Sequence, residues 1–314
     1  MYSTRNSYAA GHFEFLVDGH EPNAYVKSVK GGWSRAKPNQ TSGKNDPRMD
    51  NLTTTSEIDP ITVELGITGS KDMLRWVQQA WRGEKTTRHG QITFADFNMS
   101  TMLEHWFFDA MITQTAFPAL DGSAKDGGYL TCTLQPAHAE TKRNGGTPGP
   151  KISGAVSPKQ KMWSPSQFRF TIDGIPGVEY TNKLDAISVS LSTKPHFNGT
   201  DRLPERAQTF ITFPNIKGSI SMAYGNGLFD WFESYIRSKD GAGISETRAR
   251  RSGSIDFLTP DRKDTIFSIC LEGLLPIFVG AEAATANADQ IKRLEFELSV
   301  RSMKILGSSL LGFY

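Results

Sequence analysis

The sequence predicts a mainly β protein built as two tandem, similar halves, each a small β-sandwich or barrel with one α-helix. Three observations lead there: short segments that alternate apolar and polar residues, abundant turn formers, and a repetition at near-constant spacing. The 29 glycines and 16 prolines among 314 residues suit many short strands joined by turns. Hydrophobic residues make up 38% and aromatics 11%, enough to form a core.

The repetition organises the rest. Residues 12–19 (HFEFLVDG) return as 167–174 (QFRFTIDG), 155 positions later. The same step pairs Tyr25 with Tyr180, Ile61 with Ile216, Trp76 with Trp231 and Arg82 with Arg237. Across the loop at 82–90, which is eight residues longer at 237–253, the step becomes 163. It then pairs Gly90 with Gly253, Ile92 with Ile255 and Phe94 with Phe257, and sets 108–112 (FDAMI) against 271–275 (LEGLL). One further residue, a step of 164, aligns Leu130, Cys132 and Leu134 with Leu294, Phe296 and Leu298. Length changes that fall where loops belong point to a tandem duplication. The expected organisation is a first domain over 1–145, a linker over 146–160 and a second domain over 161–314. The linker sits in the Gly-, Pro- and Lys-rich stretch 140–161.

Each element has its own signal. Phe13, Phe15 and Val17 alternate with Glu14, Leu16 and Asp18, a strand with one buried face, ended by an Asp18-Gly19 turn. Ile61, Val63, Leu65 and Ile67 form a second such pattern, matched by Ile216, Gly218, Ile220 and Met222. A helix follows, because Met73, Leu74, Trp76, Val77, Ala80 and Trp81 make one apolar stripe. Its counterpart is Leu228, Phe229, Trp231, Phe232, Tyr235 and Ile236. Alternation recurs at 91–94, 103–108 and 129–134, and again at 254–257, 266–271 and 294–300. The polar segments 36–57 and 192–208 show no periodicity and are expected to be long loops, arms that order on a neighbour.

No catalytic, cofactor-binding or metal-binding residue is predicted. GITGSK (66–71) lacks phosphate-loop spacing, GNGLFD (225–230) fails the dinucleotide fingerprint, and GSSLLG (307–312) is not a nucleophile elbow. His12, His20, His89, His105, His138 and His196 are scattered without metal-ligand spacing. Asp18 and Asp173 read as turn acids, and Cys132 as a small core residue. Two cysteines are too few for a disulfide framework. With 35 Lys and Arg against 33 Asp and Glu, the charge argues against a dedicated nucleic-acid binder. Arg248, Arg250 and Arg251 form the densest basic cluster. The N-terminus lacks a signal-peptide core and no apolar run is long enough to span a bilayer, so a soluble chain made in the cytoplasm is expected.

Three segments carry a family resemblance. FRFTIDGI (168–175), with its copy FEFLVDGH (13–20), resembles the first strand of contractile-tail tube proteins. ITVELGITGSKDMLRWVQQAW (61–81) is similar to their strand, turn and Trp-bearing helix, and 271–300 to their last strands. That family covers myophage tail tubes and the inner tubes of phage-like injection particles, and type VI secretion tube proteins share its fold. The resemblance implies a non-enzymatic, cofactor-free structural subunit of stacked rings, joined strand edge to strand edge inside a sheath. Members carry one such domain per chain, whereas this chain carries two. Three chains would then close a ring of pseudo-sixfold shape; a hexamer with the second domain outside is the other arrangement. The implied partners are further copies of itself, a sheath protein, baseplate and terminator proteins, and DNA or protein cargo in the lumen, with no membrane. The implied location is the tail of a virion or injection particle, after synthesis in the host bacterium. Candidate inter-ring or sheath contacts are Lys37, Lys44, Arg48, Arg202, Arg206, Arg248, Arg250 and Arg251. A baseplate hub or tube-initiator ring is the neighbouring alternative, and a carbohydrate-binding β-sandwich the alternative from another class.

Overall fold

A computed structural model describes residues 12–19, 25–42, 49–67, 71–144, 149–152, 163–196, 205–236, 246–282 and 292–307. The first half runs β1 (His12–Val17), β2 (Val26–Lys30), β3 (Ser34–Ser42), β4 (Met49–Ile58), β5 (Ile61–Gly66), α1 (Lys71–Trp81), β6 (Arg88–Ala95), β7 (Thr101–Phe117), β8 (Leu120–Asp121), β9 (Tyr129–Gln135) and β10 (His138–Arg143). The second runs β11 (Phe168–Ile172), a 3-10 turn (Val178–Tyr180), β12 (Thr181–Leu184), β13 (Ile187–His196), β14 (Glu205–Thr212), β15 (Ile216–Ser221), α2 (Asn226–Ile236), α3 (Glu246–Ala249), β16 (Arg251–Leu258), β17 (Thr265–Ala281), β18 (Arg293–Ser299) and β19 (Ser302–Gly307). The protein is mainly β, as the alternation requires.

Period-two patterning sets the faces. Ile61, Val63 and Leu65 of β5, with Leu130, Cys132 and Leu134 of β9, are fully buried, while Thr62, Glu64, Thr131 and Thr133 between them stay partly open. The strand order is β1-β6-β7-β9-β5-β2 in one sheet and β11-β16-β17-β18-β15-β12 in the other, the same order by position. Registers agree as well: Phe13 faces Phe94 and Phe15 faces Ile92, while Phe168 faces Phe257 and Phe170 faces Ile255. Long strands β7 and β17 each bridge two layers: the N-terminal part pairs β6 or β16, with β10 or β19 on its other side, and the C-terminal part pairs β9 or β18. Each carries a positive φ near its middle, 49° at Asp109 and 68° at Gly273. That left-handed residue lets one strand turn from one layer into the next.

Three expectations need correction. The polar segments 36–57 and 192–208 are not structureless where they are described, because β3 pairs β4 and β13 pairs β14 as antiparallel ribbons. The residues of these two segments follow no apolar alternation in the sequence, so the sequence signal is silent there. Their tips, 43–48 and 197–204, lie outside the described residues. The stretch 140–161 begins not as linker but as β10, which pairs β7, and Thr101 donates its amide to the Pro150 carbonyl at 3.0 Å. Finally, Gly90 faces Phe107 and Gly253 faces Leu271, so the step is already 164 in β7. Pairing 108–112 with 271–275 is therefore out by one, the extra residue sitting in the turn before the long strand.

Candidate assembly surfaces

The two sheets are joined along one seam. Residues 114–117 of β7 pair residues 187–190 of β13, with Phe117 facing Ile187 and Thr115 facing Val189. Just beyond, Leu120 and Asp121 of β8 pair Leu184 and Lys183 of β12. Strands β2, β5, β9, β7–β8, β12–β13, β15, β18 and the end of β17 thus form one hydrogen-bonded band.

Aromatic side chains fill the seam from behind. Phe117 lies 5.5 Å from Phe257, 5.8 Å from Phe267 and 6.0 Å from Trp81, ring to ring. Trp81 also meets Phe213 edge-on at 6.0 Å and donates its indole N–H to Thr115 Oγ1 at 3.0 Å. Trp163 packs on Phe257 and donates to the Leu258 carbonyl at 3.1 Å. Helix α1 lies against β19, with Gln78 Nε2 donating to the Ile305 carbonyl at 2.7 Å. Such buried aromatics with satisfied polar ends make a rigid joint.

The helix stripes fare differently. Met73, Leu74, Trp76, Val77 and Trp81 of α1 are all buried. On α2, Leu228 and Trp231 are buried, Phe232 and Tyr235 are half-buried, and Phe229 and Ile236 remain 39% and 55% exposed. Of the basic candidates, Lys44, Arg48 and Arg202 lie outside the described residues. Lys37 falls on β3, Arg206 on β14 and Arg248 on the exposed side of α3. Arg250 and Arg251 instead donate to backbone carbonyls, of Gly273 and of Arg248 and Arg250, which ties them to the fold.

Each end of the band lacks a further strand on its outer side among the described residues: β2 at one end and the last residues of β17 at the other. Ile277 and Phe278 are exposed on the latter, and Trp33 beside the former. The face turned away from the core is mostly polar, with Phe278 and Phe296 lining it on the second half and the Tyr129 ring under Lys27 on the first. Lys27 pairs Glu64 at 3.2 Å, and Lys217 pairs Glu297 at 3.3 Å. A hydrogen bond from Asn215, helped by Lys217, holds the Glu297 carboxyl below its usual pKa. On the second half this face forms a groove of about 430 Å³ floored by Lys217, Ser219, Glu295 and Glu297.

Among the described residues no group of three or more His, Cys, Asp or Glu is placed to hold a metal ion, and no helix is long and apolar enough to cross a membrane. Burial pushes the Cys132 thiol up to about 12. Asp18 accepts from Arg88 at 2.7 Å and from the His89 amide at 3.2 Å, a turn anchor. His105 escaped sequence reasoning. It is 1% exposed, with Nε2 donating to the Gly32 carbonyl and Nδ1 meeting Thr141 Oγ1, both at 2.8 Å. Desolvation pushes its pKa down, so the ring stays neutral there. Trp163 escaped too, although a lone Trp just after the Gly-, Pro- and Lys-rich stretch was the available signal.

No family model matches this chain, and no curated protein matches it. Solved structures similar to it include the baseplate of the anti-feeding prophage, 16% identical over 45% of this chain and 91% of that one, TM-score 0.34. The tube-terminating cap of the same particle is 15% identical over 48% and 93%, TM-score 0.39. Hcp1 from Flavobacterium johnsoniae is 15% identical over 45% and 96%, TM-score 0.27.

Proposed function

We propose that the chain is a structural, non-catalytic subunit of a contractile injection apparatus, a duplicated ring wedge three copies of which close one ring of an inner tube. The observation that carries this reading is the continuous band with an unpaired edge at each end. An unpaired edge is a standing template for another strand, and head-to-tail pairing that closes removes every edge. The matched strand orders and registers of the two sheets support a duplication, with each half one wedge.

The polar side of the band then lines the lumen. Its Lys–Glu pairs neutralise one another, and Thr and Ser hydroxyls dominate it, with Phe278 near one end as its exposed apolar side chain, so cargo meets mostly shallow polar contacts. Both halves are near charge balance, 16 basic and 16 acidic residues up to 155 and 19 and 17 after it, which avoids phosphate capture if the cargo is DNA. The ribbons β3–β4 and β13–β14 are the parts that reach a neighbouring ring or the sheath.

Electron microscopy of the purified protein tests the reading. Rings and stacks of rings are expected, with mass photometry showing three chains per ring. A chain that stays monomeric at high concentration would refute it. Copy number per particle, by quantitative mass spectrometry, separates a tube subunit present in many copies from a baseplate ring present once.

A further inference from the structure

The two halves carry opposite chemistry on one pair of equivalent faces. In the first half the face belongs to β1, β6, the start of β7 and β10; in the second, to β11, β16, the start of β17 and β19. Both faces point away from the core, and their registers match row by row. Leu16, Gln91, Trp106 and Glu140 lie side by side on the first, where the second has Thr171, Ser254, Cys270 and Lys304. In the next row Glu14 and Glu104 stand where the second half has Arg169 and Ser268.

The second face satisfies its own charges. Arg169 pairs Asp256 at 2.9 Å, Ser268 donates to the same carboxylate at 2.7 Å, and Lys304 pairs Glu272 at 2.6 Å. Its exposed large apolar side chain is Leu306, at the edge. The first face reverses both cations: Glu14 replaces Arg169 and Glu140 replaces Lys304. Amid these acids Trp106 is 38% exposed. Its indole N–H donates to Glu104 Oε2 at 3.4 Å, which sets that carboxylate at the rim of the ring. Glu140 stands directly opposite on β10, braced at 3.0 Å by His138, whose ring stacks on Phe108.

We infer that the face around Trp106 is a docking site, present once per chain, for an arginine-bearing segment of a different protein. The guanidinium lies on the indole between Glu104 and Glu140, and the apolar neighbours of that arginine rest on Leu16 and Phe108. Charge complementarity selects this occupant. A cation is attracted to an indole face, and a planar, weakly hydrated guanidinium also forks its hydrogen bonds to carboxylates at the rim. The fold makes such a contact within itself, with the Arg88 guanidinium 5.5 Å from the Trp76 ring centre. The equivalent face of another copy is a poor occupant, because its arginine, Arg169, is already bound to Asp256. The inference does not depend on ring closure. Where three chains do form a ring, the site recurs three times, not six, and the partner follows that threefold pattern.

Fluorine NMR of the full chain labelled with fluorotryptophan tests the site, the Trp106 signal being identified by its loss in Trp106→Phe. A hexapeptide with one central arginine among leucine and serine is expected to move that signal saturably and leave the other tryptophans in place. Its lysine twin should bind about fivefold more weakly, for want of the planar fork. Arginine amide alone should bind about fivefold more weakly too, for want of apolar neighbours. Glu104→Gln with Glu140→Gln should weaken the peptide about tenfold without changing circular dichroism, whereas Glu272→Gln on the other face should leave it unchanged. An unmoved Trp106 signal, or equal movement of every tryptophan, would overturn the site. Equal binding of the lysine or a leucine twin would overturn the choice of arginine, and equal binding of arginine amide would overturn a protein segment as the occupant. Each of these readings is the same whether micrographs show rings or monomers, so the docking site and the tube reading fail separately.

Discussion

Trp81 and Ile236 occupy the same turn of two equivalent helices and meet opposite environments. Trp81 is buried against Phe117 and Phe213 and spends its N–H on Thr115, so Trp81→Ala should lower stability by about 3–5 kcal/mol. Ile236→Ala should lower that of the isolated chain by less than about 1 kcal/mol, because its side chain is largely in solvent. Urea unfolding of the two variants at low protein concentration makes the comparison. His105 gives a pH signature. Its folded pKa lies below the ordinary 6.5, so the unfolded chain binds the proton first as the pH falls. Stability should be complete above pH 6.5 and decline below it, as protonation would place a charge beside the Gly32 carbonyl in a dry site. His105→Ile copies Ile269, its counterpart in the second half, and should flatten that slope in thermal melts recorded from pH 5 to 8.

Strands show where backbone geometry, not side-chain chemistry, is decisive. Gly90 and Gly253 hold the same register, each on the strand that lies between the first strand of its half and the long strand. A Cβ at Gly90 would meet the Phe107 ring and the Leu16 carbonyl, and one at Gly253 the Thr171 carbonyl at 2.5 Å. Alanine at either place should cost about 1–3 kcal/mol, read as a drop in the urea midpoint, because a carbonyl in a ladder cannot give way as a side-chain tip can. The ribbons illustrate the opposite situation. Residues 192–208 carry few apolar residues for a core to select, although β13 begins with the buried Ile187, Val189 and Leu191, so that ribbon's outer part looked like a loop. Shortening both, past Lys37 on β3 and past Thr193 on β13, should leave folding and ring closure intact and abolish stacking in micrographs.

Across the full chain, one core cluster runs through both halves, from Phe15 to Ile305, and Phe117 touches the second half through Phe257 and Phe267. The halves therefore do not unfold as independent beads. A single cooperative urea transition is expected by both fluorescence and far-UV circular dichroism, and two separated transitions would show that the seam is weaker than its aromatic packing implies.

The amino-acid order alone determined the strands with one buried face, the stripe of α1 and the corresponding stripe of α2, because alternation and helical spacing are local signals that burial of one face imposes. It determined the turns at Asp18-Gly19 and Asp173-Gly174 for the same reason. Which strands meet was decided only by the folded chain. The pairing of β7 with β13, the placing of Trp163 over Phe257 and the closing of His105 between Gly32 and Thr141 join residues far apart in sequence. Contacts of that kind leave no period in a linear sequence, since they depend on the shape of surfaces that exist only after each half has folded.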